Sequence, residues 1–408
     1  MGAWKTRHLP EKISHRGLNG MRAFYVNTML RSLAFSLVGI FTPIYIYQIM
    51  SQLLGSTKAG LAALVSYYLV VRLTVLVGAI KWSKVIEKIG FRKSVAVSVL
   101  FLVGYFLALC GASKVWWLVY VAGWLLGMNI PLYWISRFSV LSLDGRKEEV
   151  GKQMGFLSTL DRVGAMLGPI AGAAIITWWG FRELYLLAFA ILVVSIIPLW
   201  SMPPHQHRNG VSWRGFWRWL RDRRFYHQAI GTVARVFDDY SSTIVWPLVI
   251  WFLGIKLETM GWIFSLIGLV ALLYRLLTGI IFDWLYQKGG KEDEALFGGV
   301  AFVYSLIWLV KIGIRTVKGV IIADGVLGGF GVSYRNISDD YIVLGGRRMH
   351  EIAYYTYRTL TYSLGVIVYL SLWLIGIYCD CWREILFSAT ALMVLVGIIQ
   401  SRESQIKI

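Results

Sequence analysis

Apolar residues in this chain gather into long unbroken runs, where a soluble helix would show a one-sided stripe and a half-buried strand a strict alternation. Twelve runs can be traced, near residues 25–49, 59–80, 94–112, 115–136, 153–178 and 184–202, then near 227–254, 259–283, 295–312, 319–341, 352–378 and 385–400. About 20 mostly apolar residues in a helix cross the hydrocarbon core of a bilayer. Each run therefore predicts a transmembrane helix, and the expected class is an all-α polytopic membrane protein. One long polar stretch interrupts the series at about 203–224, opened by Pro203 and Pro204. It divides the chain into 1–202, 203–224 and 225–408, two six-helix bundles joined by a linker.

Inside the linker, Trp213, Phe216, Trp217 and Leu220 recur at helical spacing, and Arg214, Arg218 and Arg221 form a second stripe. That pattern predicts an amphipathic helix in the headgroup region, aromatic side inward and arginines toward anionic lipid. Lysine and arginine are unevenly shared between the two sets of gaps. The side with both termini and the linker holds 26 and the other side seven. Basic loops stay in the cytoplasm, so both termini are expected there, with the protein multi-pass in the plasma (inner) membrane.

Composition narrows the function. The chain of 408 residues is 57% hydrophobic and 15% charged, too apolar for a soluble domain. Its formal charge of +19 is spread over short loops, which leaves no basic domain to hold nucleic acid. Cys110, Cys379 and Cys381 make no disulfide framework. No metal-ligand spacing, nucleophile elbow or phosphate loop is found, so neither cofactor, metal nor catalysis is expected. The first 20 residues are too polar for a removed signal peptide.

The two sets of runs repeat each other. Arg31 precedes Pro43 by 12 positions, and Arg235 precedes Pro247 by 12. Arg72 and Arg275 are 203 apart; Gly127 and Gly328, Tyr133 and Tyr334, and Gly164 and Gly365 are each 201 apart, as are Arg182-Glu183 and Arg383-Glu384. Matches in one order at offsets of 201 to 204 mark two parallel copies of a six-helix unit, related by a two-fold axis along the membrane normal.

Six plus six spans with a cytoplasmic linker resemble the major facilitator superfamily. Its loop motif after the second span is similar to Ser83–Lys93, with Glu87 for the family's aspartate, then Gly90, Arg92 and Lys93. The second half keeps only Gly279 and Asp283. The resemblance implies that Glu87, Gly90, Arg92 and Asp283 help to latch the halves at the cytoplasmic side. The fifth span carries Gly164, Gly168, Pro169 and Gly172 in the spacing of the family's antiporter motif, with Ala173 for the last glycine. Small residues four apart let backbones approach closely, and the resemblance implies proton-coupled export. The family's fourth-span arginine is missing: Gly123 stands there, and Asp324 at the repeat-related position.

Charges inside the spans name the candidate sites, because each is costly without a partner or a watery path. Arg31 and Arg235, on repeat-related first helices, are expected to face one another across a central cavity and hold an anionic group. Tyr354, Arg358, Thr361 and Tyr362 share one face of the eleventh span and are expected to line the passage. Asp238 and Asp239 share a face with Arg235, near mid-bilayer. Neighbouring carboxylates repel in a poorly hydrated site, so the pair is expected to exchange the coupling proton, with Asp324 in reserve. The expected function is a secondary transporter of a small organic solute, monomeric in the lipid bilayer, driven by H+. The alternative is a membrane-embedded lipid-handling protein or enzyme on the same fold.

Overall fold

The computed structural model describes residues 15–144, 166–201, 211–286, 292–326, 328–347 and 351–399, and the regular elements among them are helical. In the first half these are α1 (His15–Val38), α2 (Thr42–Leu54), α3 (Thr57–Ile89), α4 (Phe91–Ala112) and α5 (Leu118–Asp144), then α6 (Met166–Trp178) and α7 (Phe181–Ser195). The linker folds as α8 (Trp213–Arg221). The second half comprises α9 (Arg223–Tyr240), α10 (Trp246–Phe252), α11 (Leu257–Tyr286), α12 (Glu292–Gly313), α13 (Val317–Ile321), α14 (Gly328–Arg347), α15 (Glu351–Tyr378) and α16 (Trp382–Val396).

Nine helices among the described residues are long and apolar enough to cross a membrane. The shorter apolar helices Met166–Trp178 and Phe297–Gly313 occupy the fifth and ninth runs. The seventh run is α9 and α10 in series, its hydropathy lowered by Arg235, Asp238 and Asp239. With it, each of the twelve predicted runs has a helical counterpart.

Repeat-related prolines break the first and seventh spans alike. Proline lacks an N–H and its ring crowds the carbonyl four residues back. Before Pro43 the helix opens over Gly39–Phe41, while before Pro247 it widens into a π turn, Ser241–Val245. A second π turn, Ile322–Val326, joins α13 to α14 and contains Asp324.

Helix pairing repeats as well. α4 lies on α5 and α7, α3 on α5, and α1 on α7; correspondingly α12 lies on α14 and α16, α11 on α14, and α9 on α16. Between the halves, α15 runs along α3 and reaches α5, while α2 meets α10. α6 and α11 also meet: Ser265 Oγ accepts the Ile170 N–H at 3.1 Å, and a Cβ on Gly261 would stand 2.7 Å from the Pro169 oxygen.

The linker helix also packs against the second half. Ser212 Oγ caps α8 by accepting the Gly215 N–H at 3.1 Å, but the aromatic stripe is divided. Phe216 and Trp219 are buried against Tyr357, with Trp219 also on Tyr354, while Trp213 and Trp217 stay exposed. The helix docks on the start of α15 because Gly215 lets it approach: a Cβ there would collide with the Tyr357 hydroxyl. Arg214, Arg218 and Arg221 are exposed, as the stripe predicts.

Candidate transport site between the halves

Arg235, Asp238 and Asp239 sit on α9 just before its π turn. The two carboxylates diverge, since consecutive residues point about 100° apart around a helix. Asp239 accepts from Arg235 Nε at 2.8 Å and from the Tyr362 hydroxyl at 3.0 Å. Asp238, fully buried, accepts from the Tyr304 hydroxyl at 2.5 Å and lies 3.5 Å from Arg335 Nη1. Arg235 Nη1 also donates to the Arg335 carbonyl at 3.1 Å and stands 3.4 Å from Asp339 Oδ1. Arg335 further donates to Ser242 Oγ at 3.2 Å. Two guanidiniums and three carboxylates are thus interleaved within the second half.

A third guanidinium arrives from the first half. Arg72, midway along α3, donates through Nε to the Tyr240 hydroxyl at 2.6 Å and lies 4.9 Å over the Tyr362 ring. Tyr362 thus touches Arg72 with its face and Asp239 with its hydroxyl. Tyr68 and Tyr240 add a ring contact between the halves at 5.8 Å. Arg72 brings the cluster to three cations and three anions, joined through two tyrosines at the seam.

Arg31 takes a different course. Its Nη2 donates to Asn129 Oδ1 at 2.8 Å, and its guanidinium lies 3.5 Å over the Tyr133 ring. Arg31 and Arg235 are therefore not brought together; each reaches the fourth helix of its own half. Asp324 also stands apart, 2.6 Å from Lys311 of α12 and bonded by the Trp246 indole. Tyr354 donates to Gln228 near the linker helix, and Arg358 lies 5.5 Å over Phe138. The polar face of α15 is thus shared among three levels, with Tyr362 alone at the charged cluster.

Contacts between the halves continue at both ends. At the end opposite the linker, Tyr47 packs on Trp251 and Phe252 at 5.5 and 5.1 Å, and Lys58 pairs with Asp380 at 2.7 Å. At the linker end, Phe138 stacks on Tyr355 at 5.1 Å. Gly90 turns α3 into α4 at φ 81°, where glycine is free of strain. Glu87 and Arg92 are half-buried beside it. Asp283 lies in α11, its side chain outside the described residues, as is Gly164. Gly168 and Gly172 face α1 and its continuation: Cβ atoms there would collide with Ser36 Oγ and the Leu37 oxygen.

Sequence reasoning found the α9 cluster but missed Asp339, Tyr304, Tyr240 and Lys311 as partners. Arg72 carried a signal, as a repeat-related charge inside a span, yet nothing in its spacing pointed to the other half.

The sequence profile of the Major Facilitator Superfamily matches residues 25–338. The chain belongs to that superfamily. It is accordingly a multi-pass membrane protein with the twelve-helix fold of a secondary transporter. Among solved structures, a fucose:proton symporter of E. coli is similar at 13% identity with a TM-score of 0.66, covering 94% of this chain and 98% of that one. The human organic anion transporter MFSD10 is similar at 12% and 0.65, covering 94% and 99%. A D-xylose-proton symporter is similar at 12% and 0.66, covering 93% and 96%. At such identities the likeness is one of fold. No curated protein sequence matches the chain.

Proposed function

We propose that this superfamily member is a proton-coupled secondary transporter of a small organic solute, working by alternating access with its termini in the cytoplasm. The observation that carries the reading is the Arg72 tie: a first-half cation completes the charge balance of a second-half cluster through Tyr240 and Tyr362. Parting of the halves withdraws Arg72 and leaves three carboxylates against two guanidiniums. The uncompensated charge is made good by a proton at Asp239, the carboxylate nearest the seam, while Asp238 is held inside by Tyr304 and Arg335. Contacts at both ends suit a cycle in which one end opens at a time. The solute would sit between Arg31 of the first half and Arg358 and Tyr362 of α15, with Tyr354 at the linker end on Gln228; Arg235 positions Asp239.

Two of the similar structures are proton symporters, whereas the glycine–proline segment of α6 implies export. The direction of proton movement separates these. Purified protein in proteoliposomes, offered a labelled panel of sugars, carboxylates and amphipathic cations under pH gradients of either sign, should accumulate at least one compound under one sign only. Movement of no compound under any gradient would overturn the proposal.

A further inference from the structure

Among the described residues Lys311 and Arg31 are the most deeply buried cations, and the well-buried cations of the second half are matched with anions. Arg235 has Asp239 and Asp339, Arg335 has Asp238, and Lys311 has Asp324. Arg31 is 5% exposed and has no carboxylate among the described residues. Its Nη2 is bound to Asn129, but its Nη1 is buried with no acceptor. A guanidinium left so is costly unless something with negative charge comes to it.

The surroundings are arranged for that. Asn129 donates its own amide to the Ser98 carbonyl at 2.6 Å, which fixes Oδ1 toward Arg31. Tyr133 supports the guanidinium from below at 3.5 Å, and Nη1 is left without an acceptor. Arg137 donates to the Tyr133 hydroxyl at 3.3 Å, and Arg358 approaches Phe138 from the second half. Positive charge thus collects along α5 between Asn129 and Phe138. Thr28 Oγ, one turn before Arg31, and Ser136 Oγ are also buried without a partner. These are hydroxyls that can donate to an oxyanion.

We propose that Arg31 Nη1, supported by Asn129 and Tyr133, binds the carboxylate of an organic anion. The inference rests on the transporter reading above and names its substrate class. A carboxylate fits because its two oxygens match the guanidinium fork. The first half then holds the anion and the second half the proton, on opposite sides of the Arg72 tie.

The test is binding to the purified full-length protein in detergent, with benzoate and acetate as probes and benzamide and acetamide as neutral controls. Benzoate or acetate should raise the melting temperature, and the amides should not. Benzoate should also shield Arg31 of the wild-type protein from phenylglyoxal, read by mass spectrometry, which needs no variant to fold. Arg31→Gln should weaken carboxylate binding at least tenfold, and Arg31→Lys should weaken it less. Equal stabilisation by amides and carboxylates, or unchanged carboxylate affinity in Arg31→Gln, would overturn the site. Transport of a neutral solute by Arg31→Gln at the wild-type rate would overturn the anion and leave the transporter standing. Carboxylate binding lost in Arg31→Gln, in a protein that moves nothing across a membrane, would uphold the site and remove the transporter.

Discussion

Single residues inside this membrane protein separate into those that hold structure and those placed to change partners. Lys311 and Asp324 belong to the first kind. Their 2.6 Å contact is buried, capped by the Trp246 indole and flanked by the Trp246 and Trp308 rings at 4.6 and 4.4 Å from the ammonium. Removing one partner of a buried pair costs about 3–5 kcal/mol, while replacing both with apolar groups is often neutral. Asp324→Asn and Lys311→Met should each lower the melting temperature in detergent by several degrees, and a Lys311→Met, Asp324→Leu double variant should recover most of the loss. A double variant as unstable as either single one would show that the pair is not the cause. Sequence reading held Asp324 as a reserve proton site because its helix offers no close arginine; the partner is on the preceding span, where helical spacing gives no signal. Asp238 and Asp239 were legible for the converse reason, since Arg235 lies on their own helix.

Helices in this fold were legible wherever hydrophobicity alone decides them, as in α15, predicted at 352–378 and found at Glu351–Tyr378. Breaks were less so. Pro43 and Pro247 announce a disturbance, but whether the helix opens or widens depends on packing around it. The small residues of α6 serve two neighbours: Gly168 and Gly172 meet the first span, while Pro169 and Ala173 meet α11 across the seam. Overpacking a close-packed site costs about 1–3 kcal/mol, with different consequences on the two sides. Gly172→Val should lower folded yield and melting temperature, because it pushes apart helices of one half. Gly261→Val crowds Pro169 and Ala173 between the halves, so it should leave melting nearly unchanged. It should instead raise the reactivity of a cysteine at Tyr47, opposite Trp251, toward a water-soluble maleimide. A Gly261→Val protein with unaltered Tyr47→Cys labelling would contradict the assignment of this contact to a moving seam.

For the molecule as a whole, the repeat foretold the matching helix pairs α4–α5 and α12–α14, and α1–α7 and α9–α16, but pseudo-symmetry in sequence hides where the halves differ in charge. Among the described residues the first half presents an arginine without an acid, the second a cluster with one acid to spare, and Arg72 joins them. On the proposed reading of that asymmetry, a proton at Asp239 lets the Arg72 tie open and re-form. It is tested most directly by comparing two assays on Asp239→Asn in proteoliposomes, using a compound the wild-type protein moves. Exchange of labelled for unlabelled compound across the membrane should persist near the wild-type rate, while accumulation driven by a pH gradient should fall to background. Undiminished pH-driven accumulation by Asp239→Asn would contradict it.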